Sequence, residues 1–250
     1  MALFRQAIHV ELANLATLRY KDQFPTENLG VAQGNALSPL LGNIILADFD
    51  SKMNEGDCRC IRYIDDFIIL GPSAAAVMAR LRRARTILNG LDMTLATDKT
   101  SNEAIPATRP FEFLGIEFSN TLLRPCSKAR ATFLTSVRNV FHESRKAFIA
   151  YRNGQPLPKS AALLGTLKRV DGIIQGWGKH YRFCNDGLFF SNLDKEVGQL
   201  IREYLGIYRS ERNSAMPERA PALLGVELLA SMERKPFPWH WPKKPTARAA

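Results

Sequence analysis

Cys58–Leu70 reads CRCIRYIDDFIIL. Two short runs rich in β-branched and aromatic residues flank an acidic break at Asp65-Asp66. That pattern predicts a β-hairpin with the two carboxylates at its tip. Gly71-Pro72 closes the second strand. Neighbouring carboxylates repel: at ~4 Å two like charges cost about 1 kcal/mol in water and about 4 at an effective dielectric near 20. A divalent cation at the tip would relieve that cost, because Mg²⁺ seeks one or two carboxylates plus phosphate oxygens. An ordinary exposed Asp-Asp turn is the other reading of the same residues.

Outward from the hairpin, Ser38-Pro39 opens a helix, with Ser38 as N-cap and Pro39 at the first helical position. Leu37, Leu41, Ile44, Ile45, Ala47, Asp48 and Met53 follow at helical spacing over four turns. Asn54-Glu55-Gly56-Asp57 ends it. After the hairpin, Ser73 caps a second helix whose stripe is Val77, Leu81, Ala84 and Leu88, and Asn89-Gly90 stops it. Arg80, Arg82, Arg83 and Arg85 are read as its solvent side. Strands are expected at 93–97 and 111–119. This order predicts an α+β domain, an antiparallel sheet with helices on one face. An earlier loose helix is read at 3–18. Beyond Pro125 the pattern turns helical, at about 127–152, 160–180 and 191–207, and the last forty residues read as a loosely ordered, proline-rich tail.

The chain has 250 residues and a net charge of +10. Leu123–Arg182 holds twelve basic residues against Glu143 and Asp171, an excess equal to that of the whole chain. The candidate backbone contacts are Lys128, Arg130, Arg138, Arg145, Lys146, Lys168, Arg169 and Lys179. Such segregation suits a surface that tracks phosphates, and equally a solvated helical face. No apolar run approaches the ~20 residues of a membrane span, and four cysteines are too few for a disulfide scaffold. A cytoplasmic setting is expected, without membrane association. Cys58 and Cys60 read as buried structural thiols. Trp177 and Tyr181 share a helix face and read as core, with base stacking the lesser option.

Several motifs together resemble those of reverse transcriptases, RNA-directed DNA polymerases. Tyr63-Ile64-Asp65-Asp66 resembles their Tyr-x-Asp-Asp box. GVAQGNALSPLLGN, with Gly30, Gln33, Gly34, Ser38, Pro39 and Asn43, resembles their upstream segment. Thr97-Asp98-Lys99 resembles the lysine-bearing segment, and Phe113-Leu114-Gly115 the primer-grip turn. The form is most similar to bacterial group II intron and retron-type enzymes. Ile174-Gln175-Gly176-Trp177 with Tyr181 is similar to part of their helical C-terminal region. The likeness runs over residues 30–207.

The resemblance implies a partial polymerase palm at 30–122 after an N-terminal helix and loop at 1–29. A basic helical thumb at 123–208 and a tail at 209–250 would follow. Asp65 would bind both catalytic Mg²⁺ ions, with Asp66 assisting and Tyr63 near the primer end. Gln33 and Gly34 would line the floor under the templating pair, and Ser38, Pro39 and Asn43 would shape the adjoining helix. Lys99 would be a general acid or phosphate contact. The partners implied are an RNA template, a primer strand and dNTPs. The family's further metal-binding Asp, expected well upstream, has no counterpart here, since Asp22 sits in a polar, proline-bounded stretch. The two-metal site is therefore expected to be incomplete. The isolated chain should be nearly inactive, the fingers and the missing Asp coming from a second polypeptide if the enzyme is split. A truncated gene, or a non-catalytic RNA-binding or structural protein, remains the alternative.

Overall fold

A computed structural model describes residues 36–227, 229 and 232–235. The helix read at 3–18 and the residues Gly30, Gln33 and Gly34 lie outside them, as does most of the Trp-Pro segment at the end. The chain divides into two compact units, residues 1–114 and 115–250. It is α+β, with seven α-helices and short antiparallel strands among the described residues.

In the first unit, α1 (Ser38–Ile45) and α2 (Ala47–Met53) replace the single helix expected from 38 to 53. The break falls at Leu46, which leaves helical geometry at ψ 7°. The N-cap of α1 is Leu37, not Ser38, and Ser38 is the first helical residue. The apolar stripe divides accordingly. Phe49 and Met53 of α2 are buried, while Leu40, Ile44 and Ile45 of α1 are exposed.

β1 (Arg59–Tyr63) and β2 (Asp66–Leu70) pair antiparallel, with Cys60 opposite Ile69, Arg62 opposite Phe67 and Tyr63 opposite Asp66. Side chains alternate across a strand. One face therefore carries Cys60, Arg62, Phe67 and Ile69, the other Ile61, Tyr63, Asp66 and Ile68. The first face packs on α2 and on α3 (Ala74–Asn89), giving a small core of Phe49, Met53, Cys60, Ala84 and Leu88. Phe67 meets Phe49 edge-on at 5.4 Å.

α3 forms as expected. Ser73 Oγ accepts from the Ala76 N–H at 3.2 Å, and Leu81, Ala84 and Leu88 are buried. Two of its arginines are not simply solvent-facing. Arg80 donates to the Lys52 and Glu55 carbonyls at 2.8 and 2.5 Å, and Arg83 pairs with Glu55 at 2.6 Å. They fasten the turn between α2 and β1.

Two expected strands are corrected. Residues 93–97 form no strand. Asp92 takes φ 55°, the Met93 N–H returns to the Leu88 carbonyl, and the chain folds back on the end of α3. The run 111–119 is not continuous either. β3 (Phe111–Phe113) ends the first unit and β4 (Ile116–Ser119) opens the second, with Leu114 (φ 52°) and Gly115 (φ 76°) between them.

In the second unit β4 pairs with β5 (Leu122–Pro125), which the sequence reading did not include. α4 (Ser127–Arg152) matches its expected bounds, and α5 (Leu163–His180) follows a single 3₁₀ turn at Lys159–Ala161. α6 (Gly187–Ser214) is longer than the helix read at 191–207. α7 (Ala220–Leu224) places Leu223 in the core, so the chain beyond 208 is not all loose tail.

The core of this unit joins Phe133, Val137, Phe141 and Phe148 of α4 to Val170, Leu193, Val197, Tyr204 and Tyr208. Tyr204, 1% exposed, stacks on Phe141 at 4.6 Å. Its hydroxyl meets Ser144 Oγ at 2.7 Å, and Ser144 Oγ donates to the Ala161 carbonyl at 2.6 Å. This buried polar chain is satisfied, as a low-dielectric interior requires. Trp177 packs on the same core, 4.6 Å from Phe133 and from Tyr181, as the core reading expects.

Asn185 clips the hairpin to the start of α6. Its side chain accepts from the Leu123 N–H (2.7 Å) and donates to the Thr121 carbonyl (2.9 Å), and its own N–H donates to the Leu123 carbonyl (3.1 Å). Asp186 then caps α6 by accepting from the Phe189 N–H at 3.0 Å.

Candidate functional site

Tyr63 and Asp66 are a paired couple in the β1–β2 ladder, so the two-residue turn is Ile64-Asp65. The expected tip at Asp65-Asp66 is thereby shifted by one residue. Asp65 occupies the turn and Asp66 is the first residue of β2, on the outer face beside Tyr63. Both aspartates are exposed, and Tyr63 is 60% exposed.

Of the two turn residues only Ile64 has positive φ, at 59°. That sign pattern belongs to a type II′ turn, whose first central position is usually glycine. A β-branched side chain there is strained, at a cost on the order of 1–3 kcal/mol. The surroundings hold it in place through Arg62, whose side chain is 8% exposed. Its Nε and Nη2 donate to the Asp50 carboxylate at 2.7 and 2.5 Å, a bidentate fork. Nη1 donates to the Ile64 carbonyl at 2.7 Å and to Asn43 Oδ1 at 3.2 Å. The hydrogen bond to Asp50 raises the Arg62 pKa above its ordinary value, against the opposing effect of burial. The guanidinium therefore ties the tip to α1 and α2 at once. Asn54 steadies the strand's other end, bonding the Cys60 N–H and carbonyl at 3.0 and 3.2 Å.

Arg62, Asp50 and Asn54 were not among the residues singled out from sequence. One signal was present. Alternation puts Arg62 on the inward face with Cys60, and an inward cation requires a carboxylate partner. Asn43, within α1, supplies an acceptor to Arg62.

The other expected site residues are placed as follows. Ser38 and Pro39 begin α1. Lys99 is exposed in a turn, its N–H bonded to the Ala96 carbonyl at 3.3 Å, and no hydrogen bond or ion pair among the described residues joins it to the tip. Phe113 ends β3, half-buried, and Leu114 and Gly115 form the turn after it with both φ values positive.

On α4, Lys128, Arg138, His142, Arg145 and Lys146 fall within about 100° of helical arc, opposite the buried stripe. They span ~27 Å at the helical rise. None of the four cations among them is in an ion pair among the described residues; Lys168 and Lys179 on α5 are likewise exposed and unpaired. Arg130 and Arg169 are committed instead, to Glu196 and Glu143.

The fit to Mg²⁺ can be tested on the donor set. Asp65 and Asp66 are hard oxygen donors, solvent-accessible, and claimed by no ion pair among the described residues. They suit a cation completed by water and phosphate oxygens. Among the described residues no group of three His, Cys, Asp or Glu side chains is placed to hold a metal. Cys58, Cys60 and Cys126 are buried and unpaired as disulfides. Burial, followed by the nearby Asp50 charge, pushes the Cys60 thiol up to about 11.

Residues 4–118 match the sequence model of the family described as reverse transcriptase (RNA-dependent DNA polymerase). The hairpin, the Asp50–Arg62–Asn43 clamp and Lys99 all fall inside the match. That family acts on RNA template, primer and dNTPs with a divalent metal. A search of curated proteins found no match. No helix among the described residues is long and apolar enough to cross a membrane.

Proposed function

We propose that this chain is a reverse transcriptase of the group II intron or retron type, carrying part of the palm in its first unit and a nucleic-acid-binding thumb in its second. The observation that carries the reading is the coincidence of the family match with a strained, clamped hairpin presenting Asp65 and Asp66 to solvent. When bound there, Mg²⁺ would polarise phosphate oxygens and stabilise the charge of nucleotidyl transfer. Asp65 and Asp66 would hold it, and Tyr63 on the same face would border the primer end. At least one more carboxylate has to come from outside the described residues, from residues 1–35 or from a second polypeptide. The α4 stripe would follow the strand backbone, since each neutralised phosphate releases counterions.

Primer extension on an RNA template with Mg²⁺ and dNTPs tests this, using the chain alone and with an added fingers-bearing polypeptide. Extension is expected in the complemented reaction and is expected to vanish in Asp65→Asn. Extension that ignores Asp65→Asn, or is absent throughout, overturns the catalytic reading.

A second reading is RNA binding without chemistry, which the exposed, unpaired cations of α4 favour. It predicts binding that survives loss of both aspartates. Neutralising Arg138, Arg145 and Lys146 together should lower the salt slope by about 2, at ~0.7 per single-strand contact. Binding indifferent to those three changes counts against it.

A further inference from the structure

We infer that Arg62 is a positioning residue, fixing the direction of the Asp65 carboxylate by clamping the middle peptide of the hairpin tip. The inference rests on the reading of Asp65 and Asp66 as the metal-facing pair and adds the device that aims them.

The argument begins with the turn. In a two-residue hairpin the middle peptide, here Ile64–Asp65, is the soft element. Flipping it interconverts the two primed turn types by changing ψ of the first residue and φ of the second. The second residue is Asp65, so a flip changes its φ, turns its N–H to the other side of the tip and alters which χ1 rotamers its carboxylate can take. The Ile64 carbonyl belongs to that peptide, and the Arg62 Nη1–H holds it at 2.7 Å. The turn type is consistent with a held peptide: φ is positive at Ile64 and not at Asp65.

A clamp has to be anchored elsewhere, and this one is. The same guanidinium is forked on Asp50 of α2 and shares Nη1 with Asn43 of α1. Four of its donor interactions are thus fixed by atoms on three elements. Lysine could keep the charge but not the planar fork, because its ammonium cannot present parallel N–H bonds to one carboxylate while reaching a second acceptor. The inward strand position partly buries the two bonds to Asp50, while those to Ile64 and Asn43 stay exposed. None of this requires Arg62 to touch a ligand itself.

The test uses the full chain and two readouts that fail separately. NMR shifts and couplings of Ile64 and Asp65 report the tip backbone directly. Paramagnetic broadening of the Asp65 and Asp66 amides by Mn²⁺ reports cation affinity. In Arg62→Lys the φ of Asp65 is expected to turn positive or to average while that of Ile64 stays positive, and Mn²⁺ affinity to fall about tenfold, as for other residues that orient metal ligands. Amides of α3 and α4 should keep their shifts. A purely structural role would lower the melting temperature and leave the Mn²⁺ response of the folded protein unchanged. If Arg62→Lys does not fold, Asn43→Ala removes one anchor from an exposed helix position and should broaden the Ile64 and Asp65 signals. An unaltered tip backbone in the folded variant overturns the inference. A wild-type tip that ignores Mn²⁺ overturns the metal reading, while the backbone readout still decides the clamp.

Discussion

The two units are stabilised in different ways. The second holds a continuous core in which Phe133, Phe141, Phe148, Tyr204 and Tyr208 interlock across α4 and α6. The first has a core of five buried residues, and its positions are fixed as much by polar clamps: Arg62 on Asp50, Arg80 on two carbonyls, Asn54 on Cys60. Apolar burial is non-directional, whereas hydrogen bonds to charged groups set orientation. The helical unit is therefore held by burial, and the hairpin unit is oriented by its polar clamps.

The contrast can be broken most sharply at Phe148, 1% exposed. Phe148→Ala should cost about 4 kcal/mol in urea unfolding of the second unit. Gly165→Ala comes next. A Cβ there would lie 2.2 Å from the Lys159 carbonyl oxygen, a backbone atom that cannot step aside. A loss of about 3 kcal/mol is expected, again confined to the second unit.

For the first unit the largest effect is from pH. The folded Cys60 thiol holds its proton to about 11, whereas the unfolded thiol releases it near 9.0. The unfolded state thus binds fewer protons between those values, and stability falls as pH rises. The stability is fully present below pH 9 and is lost by about pH 11, amounting to about 2–3 kcal/mol. Thermal melts across pH 8–11 should show this decline, and Cys60→Ala should reduce the slope, leaving what Cys184, Tyr181 and Tyr204 contribute. The smallest effect is at the tip. Ile64→Gly should stabilise the hairpin by about 1 kcal/mol, relief of the left-handed strain outweighing glycine's entropy. Hydrogen exchange of the β1–β2 amides would register it, and faster exchange would refute the strain.

Much of this was legible from sequence where local chemistry and tertiary structure agree. Ser73, the Val77–Leu88 stripe, the bounds of α4 and the presence of a hairpin follow from capping and periodicity. The misreadings cluster where a residue adopts a conformation its own side chain disfavours. Ile64 and Leu114 both take positive φ, so neither announces a turn by its own chemistry; the tip is displaced by one residue, and the strand reading runs through the β3–β4 break, where only the resemblance places a turn. Leu46 interrupts an apolar run that looks unbroken. The β5 strand was hidden because LLRP is too short for a period. The clamp on the tip depends on Asp50 and Asn43, twelve and nineteen positions from Arg62, which no local window sees.

The Asn185 clip has a consequence for synthesis. The β4–β5 ribbon cannot be fastened until Asn185, some sixty positions later, has left the ribosome. α4 and α5 emerge before it, and until it follows the edge of β5 stays open to any passing strand.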